Sequence, residues 1–345
     1  MTIPYRIRRL LRHIAVTAVV LVLFCAALLA SWLLWLNRYV VYTEDGAKFD
    51  FSLSQVQLSG VSATPPAPGE TVSIVYPEFD EQTQEKPKEL GQIVGYTVSI
   101  EQLEKKPDEV MSALLALPEG SAVALELKTI RGNALYSTTL SRMHDQIDIA
   151  SIDRLIRALQ ENDLYLIAKI PAFRDHWYFE DNMRTNKPQG LPHVSGDGSL
   201  WVDRDGPHYW INPASAEGLN HLVQVITELR TLGFDEVMLY DFRFPNTDNI
   251  SFTGNKEEAL QNAAITLAQS CATDRFALSF VSSKITLPAG RCRLYAEGVS
   301  ASDIPTFVAS QALSNPLAQV VFLTDLLDTR FDSHSVLRPL DVPVE

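Results

Sequence analysis

The residues of this chain that could do chemistry gather where short apolar runs stop. Residues 233–245, GFDEVMLYDFRFP, open on a glycine that can end a helix and continue through the apolar run 237–242. Asp241 and Arg243 arrive as that run finishes, and Pro245 closes it. Polar groups at the carboxyl end of a buried strand are where α/β barrels carry their chemistry. Asp241 is therefore a candidate catalytic carboxylate. It shares a strand face with Arg243, so a structural ion pair is the competing reading.

A second run, SAVALELK at 121–128, separates its faces by alternation. Val123, Leu125 and Leu127 suit packing on helices. Ala122, Ala124, Glu126 and Lys128 make the other face, small at the base and charged at the top. That is the pattern of a barrel interior opening into a polar mouth. A self-satisfied Glu126–Lys128 pair would look the same, because buried charges need partners whatever they do. In the third run, LYLIAKIPAF, Lys169 shares a face with Tyr165 and Ile167, and Arg174, Asp175 and His176 follow. His176 reads as structural rather than as a base. The long segment 174–212 carries Trp177, Tyr178, Trp201, Asp203, His208, Tyr209 and Trp210. Aromatics among carboxylates suit sugar rings, whose flat faces stack and whose hydroxyls need acceptors. A lid packed on its own aromatics would produce the same composition.

The elements that must position these residues alternate. Strand-like runs at 91–99, 121–128, 164–173, 236–244, 276–283, 292–300 and 318–325 are separated by helical spacing at 100–117, 151–160, 213–232, 257–270 and 305–313. Strands alternating with helices imply a parallel sheet, and the repetition favours a (β/α) barrel. Seven strands are legible, so the barrel is either incomplete or recruits a strand from the preceding stalk. No glycine-rich phosphate loop follows the first strand, so no dinucleotide cofactor is expected.

The motifs KIPAFRD, GSLWVDRDGPHYWINPASAEG and LGFDEVMLYDFRFP, together with ELKTIRGNALYS, resemble the putative glycoside-hydrolase domain family of bacterial exported TIM-barrel proteins. The resemblance covers about residues 91–245. It implies an exported (β/α)8-like TIM barrel with a carbohydrate-related role. By position Glu126 and Lys128 stand at the family's Asp and Lys, Lys169 at an Arg, and Asp175 at an Asp. Trp201, Asp203, Trp210 and Pro213 match the family's loop, and Arg243, Phe244 and Pro245 match without a gap. Tyr240 stands where the family's fourth strand has Asp, and Asp241 at the family's Tyr. The fifth strand, FALSFVSS, lacks the family's acidic residue. Glycoside hydrolysis uses two carboxyls, about 5.5 Å apart for retention or about 6.5–9.5 Å for inversion. The candidates are Asp241, Glu126, Asp175, Asp203, Glu297 and Asp325. Asp241 and Glu126 are expected to be catalytic, with Lys128, Lys169, Asp175, Trp201, Asp203, Trp210, Tyr240 and Arg243 binding substrate. A non-catalytic glycan-binding or envelope scaffold protein is the alternative.

Arg6, Arg8, Arg9 and Arg12 lie in a basic tail, residues 1–13, ahead of a charge-free apolar run at 14–36. At about 1.5 Å per residue such a run spans a bilayer core of about 30 Å. Basic residues before it place the amino terminus in the cytoplasm and the rest outside, as a single-pass membrane protein. Residues 37–90 include the proline-rich ATPPAPGE and read as a stalk, 91–330 as the barrel and 331–345 as a tail. The net charge of −13 argues against nucleic acid as a partner. The cysteines lack zinc-site spacing, so no metal is expected, and Cys271 and Cys292 are either a disulfide or two buried thiols.

Overall fold

The computed structural model describes residues 40–43, 46–49, 89–203, 206, 208–282 and 284–344. The expected membrane run and most of the stalk lie outside them. Among the described residues no helix is long and apolar enough to cross a membrane. The chain divides into two compact units, Met1–Phe79 and Asp80–Glu345. In the first, β1 (Val40–Thr43) pairs antiparallel with β2 (Gly46–Phe49).

The second unit is a closed barrel of parallel strands, ordered β10-β3-β4-β5-β6-β7-β8-β9. These are β3 (Val94–Val98), β4 (Ala122–Glu126), β5 (Tyr165–Pro171), β6 (Glu236–Tyr240), β7 (Ala277–Val281), β8 (Cys292–Glu297), β9 (Val320–Leu323) and β10 (Ser335–Pro339). The barrel is thus complete, which corrects the seven-strand reading. Its eighth strand comes from the segment read as a carboxyl-terminal tail, not from the stalk. β10 closes the ring through Ser335, whose hydroxyl accepts from the Ile93 amide at 3.1 Å and donates to the Leu317 carbonyl at 2.6 Å.

Alternation sorts the side chains as β4 foretold. Ala122, Ala124, Ile167, Met238, Tyr295, Val321 and Leu337 fill the interior. Val123, Leu125 and Leu127 join the larger apolar layer beneath the helices. β3 approaches β4 so closely that Gly95 has no room for a side chain: a Cβ on it would sit 1.7 Å from the Ala122 carbonyl oxygen. The helical spacing at 100–117 resolves into two helices, α1 (Ile100–Lys105) and α2 (Pro107–Leu115). Pro107 lacks an N–H and disfavours helical backbone at Lys106, so it restarts the helix instead of continuing it. α3 (Ile149–Glu161) precedes β5, and α4 (His176–Glu180) and α5 (Met183–Asn186) lie within the long segment after it. α6 (Ala216–Thr231), capped by Ser215, buries Leu219, Leu222, Val225, Ile226 and Leu229. α7 (Lys256–Cys271) is capped by Asn255. Cys271 and Cys292 are both free and buried, which removes the disulfide alternative. Burial pushes their thiols up to about 11 and about 12.

The base of the barrel is polar. Arg293 on β8 is ion-paired with Glu236, the first residue of β6. Glu236 also accepts from Tyr295 at 2.7 Å and Tyr165 at 2.9 Å. The remaining guanidinium donors reach Tyr165 at 2.9 Å and the carbonyls of Ala318 at 2.9 Å and Gly91 at 3.0 Å. Both charged side chains are essentially inaccessible to solvent. Removing one member of a buried, hydrogen-bonded pair strands the other, at a cost of about 3–5 kcal/mol. Glu236→Ala is accordingly expected to lose stability on that scale in denaturant unfolding. A loss below about 1 kcal/mol, the range of exposed pairs, would show that the network is dispensable.

Candidate functional site at the barrel mouth

The same alternation that puts Glu236 at the base of β6 puts Met238 in the middle and Tyr240 at the carboxyl end, on the inner face. Glu126 ends β4 and is in register with Lys169 on β5, while Tyr240 is in register with Pro171. The Lys169 ammonium lies 3.6 Å from Glu126 and 5.0 Å from the centre of the Tyr240 ring. The Tyr240 hydroxyl donates to the Lys128 carbonyl at 3.3 Å. Burial first, and then the charge of Glu126, push this phenol above its ordinary range. Glu126 and Lys169 keep about a fifth of their side-chain surface exposed, at 20% and 23%. They are partnered but reachable.

Asp241 follows the strand with φ of 52°, a left-handed conformation uncommon for a residue with a Cβ. Its carboxylate is held between two guanidiniums, at 3.3 Å from Arg174 Nε and 3.1 Å from Arg243 Nη2. Arg174 also lies 3.6 Å from Asp203, and Asp203 accepts from the Trp210 indole at 2.8 Å. The Arg174 and Arg243 guanidiniums sit 4.8 and 5.2 Å from the centre of the Trp210 ring. Alternating charges over one indole thus fasten the loop to the end of β6. A cleft of about 790 Å³ opens at this mouth, lined among others by Lys169, Tyr240, Asp241, Arg243, Lys256 and Glu297.

Other expected site residues are enclosed. Lys128 and Asp175 were expected to bind substrate, yet they form an ion pair of 2.5 Å with only 3% and 5% of each side chain exposed. β4 ends at Glu126, and beyond it the chain bends through Gly132 into a bridge between Lys128 and Ala134. Strand alternation therefore does not carry Lys128 to the mouth. Asp175 caps α4 by accepting from the Tyr178 amide at 2.9 Å and lies 3.6 Å from His221. Gly132 is obligatory here: a Cβ on it would fall 2.0 Å from an Asp175 oxygen. Trp210 and Trp201 were expected to stack on sugars. They are 1% and 8% exposed and pack together at 6.3 Å, because the returning loop is sewn to the segment just after β5 by the Ile211 amide donating to the Phe173 carbonyl at 2.7 Å. They hold the wall of the site. The reachable set is Glu126, Lys169, Tyr240, Asp241, Arg243 and Asp203, together with Arg174 and Glu297.

Arg174 was legible as the residue after a strand end, but its partners come from other elements. His221 carries no local signal at all, being one polar residue on the amphipathic α6.

A closed, eight-stranded parallel α/β barrel, TIM-barrel-like, with a polar cleft at the carboxyl end of its strands defines the class. Residues 100–283, more than half of the chain, match the family described as "Putative glycosyl hydrolase domain", and the chain belongs to that family. Curated proteins contain no match. Among solved structures it is similar to a hypothetical protein of Ruminiclostridium thermocellum, at 18% identity over 56% of this chain and 100% of that one, with a TM-score of 0.46. The glycoside hydrolase domain of PelA from Pseudomonas aeruginosa aligns at 12% identity over 72% and 95%, also with a TM-score of 0.46. The α-galactosidase TtGalA from Thermus thermophilus aligns at 13% identity over 60% and 41%, with a TM-score of 0.40. Likeness of this degree assigns no activity.

The enclosed pair gives a pH prediction. Burial pushes the Asp175 carboxyl up, but Lys128, aided by His221, more than offsets this and holds it below the usual carboxylate range. A depressed folded-state value adds stability that is present above the ordinary Asp value of about 3.9 and is lost as pH falls from there through the folded-state value. Asp175→Asn is therefore expected to cost about 3–5 kcal/mol near pH 6, with the gap to wild type narrowing below about pH 4. Unfolding midpoints across that range check it. A gap that stays constant with pH would contradict the ion pair.

Proposed function

We propose that this glycosyl hydrolase-like protein is membrane-anchored, extracytoplasmic, and acts on a cell-envelope or extracellular polysaccharide. The observation that carries the reading is the mouth cleft, lined by Lys169 of β5, by Tyr240, Asp241 and Arg243 at the end of β6 and by Glu297 of β8, with Glu126 of β4 3.6 Å from Lys169. Such convergence is how a barrel assembles a ligand site. Glu126 and Asp241 are its first carboxylates, and Lys169 and Arg243 orient hydroxyls or acidic groups of the glycan. Tyr240 offers an aromatic edge and a hydroxyl. The anchor rests on the charge-free run at 14–36 and its basic flank.

One feature favours a second reading, a glycan-binding barrel without turnover. Asp241 is engaged by both Arg174 and Arg243, one on each carboxylate oxygen, which ties it into the wall of the site rather than leaving it free for a substrate.

The full chain in detergent, assayed on a glycan panel that includes peptidoglycan, separates the two. Hydrolysis is expected to appear as reducing-end release and to fall at least about 100-fold in Glu126→Gln, the low end for loss of a catalytic proton-transfer group. Turnover unchanged in both Glu126→Gln and Asp241→Asn would sink the site assignment, and saturable binding without release would support the second reading. A carboxyl-terminal alkaline phosphatase fusion, active only outside the cytoplasm, tests the topology. An inactive, well-expressed fusion would contradict it.

A further inference from the structure

Tyr240 lines the mouth with a hydroxyl that the two-carboxylate scheme leaves idle. Resting on the glycosidase reading above, we propose that Tyr240 is the nucleophile of glycosyl transfer at this mouth and that Glu126 is its base. Tyr240 ends β6 on the inner face, is partly exposed, and lines the cleft. Its hydroxyl is held by the Lys128 carbonyl at 3.3 Å, and its ring lies 5.0 Å from Lys169, which is itself 3.6 Å from Glu126. Lys169 thus stands between the Tyr240 ring and Glu126, and a nucleophile served by a base that a third group orients is the recurring arrangement of covalent catalysis. The adjacent carboxylate is the weaker choice, because Asp241 is occupied by Arg174 and Arg243. Glycosidases with a tyrosine nucleophile exist outside the two-carboxylate majority.

Burial and the neighbouring Glu126 charge keep the phenol protonated at rest, so attack requires the proton to leave as the new bond forms. In the first half, Tyr240 Oη bonds to the anomeric carbon, and its proton, donated at rest to the Lys128 carbonyl, turns away from that carbonyl and passes to Glu126. The bond to the leaving oxygen breaks, and that oxygen takes a proton from Glu297, which ends β8, is exposed, and lines the same cleft. In the second half, Glu297 removes a proton from water as the water oxygen attacks the anomeric carbon. The bond to Tyr240 breaks, and the phenolate, stabilised by Lys169, recovers its proton from Glu126. Two displacements at one carbon retain its configuration.

The test uses the full chain in detergent with 2,4-dinitrophenyl glycosides, covering neutral hexosides, N-acetylhexosaminides, uronides and 2-keto-acid glycosides. Where one is turned over, the product anomer is read by NMR, and the matching fluorinated glycosyl fluoride is used as a trap before peptide mapping. Retention, label on the Tyr240 phenol, and a loss of about 1,000-fold in kcat for Tyr240→Phe with an unchanged unfolding temperature are expected. Inversion, label on Asp241, Glu126 or Glu297, or wild-type kcat in Tyr240→Phe would overturn the assignment while leaving the glycosidase reading standing. No turnover and no label across the panel would overturn both.

Discussion

The buried ion pair between Arg293 and Glu236 sets the terms for the rest of the barrel. Arg293 reaches β6 through Glu236, β5 through Tyr165, and the approaches to β9 and β3 through the carbonyls of Ala318 and Gly91. A guanidinium and a carboxylate withdrawn from water are tolerable only when nearly every donor and acceptor is matched, and here the matches come from around the ring. The register that satisfies them at the base also fixes the mouth. Counting by twos from Glu236 leads to Tyr240, and from Ala122 to Glu126. A slip of one residue in β6 would remove Glu236 from the base and Tyr240 from the mouth together.

The mouth is then finished by the loop between β5 and α6, which two charge clusters hold down. Lys128 and Asp175 form its enclosed hinge, with Gly132 making the space. Asp203, Arg174, Asp241 and Arg243 alternate in sign over Trp210 and form its outer clasp. The clasp explains why Asp241 tolerates a left-handed backbone: that turn carries its carboxylate to the guanidiniums. It also divides labour. Asp241 is tied into the wall of the cleft that it lines, while Lys169 and Tyr240 line it from the strands themselves, with Glu126 beside Lys169.

Much of this was legible because strands obey a period of two. The faces of β4 and the inward aim of Lys169 followed from it, while the strand expected at 236–244 was read from its apolar run and ends at Tyr240. Legibility ended where strands end. Lys128 and Asp241 were assigned by extending alternation one or two residues too far, into a bend and a left-handed turn. β10 was missed because five residues that include Arg338 and Pro339 give no apolar run; the strand exists because the ring needs an eighth member and Ser335 can bond both flanks. Trp201 and Trp210 have the composition of sugar platforms, and only the backbone pairing of the loop reveals that their faces are covered. Arg174 and His221 gain their roles from partners distant in sequence, which no local pattern records.

The central claim is that the glycan sits at the carboxyl-end cleft and meets residues from several strands. A crystal structure of the chain with an oligosaccharide that it binds or cleaves tests this directly. A sugar ring is expected within hydrogen-bond distance of Arg243 and Lys169, with Tyr240 and Glu126 facing its anomeric carbon. A sugar seated in the outer groove between α6 and α7, beside Leu219, Val223 and Phe252, with the mouth empty, would contradict it.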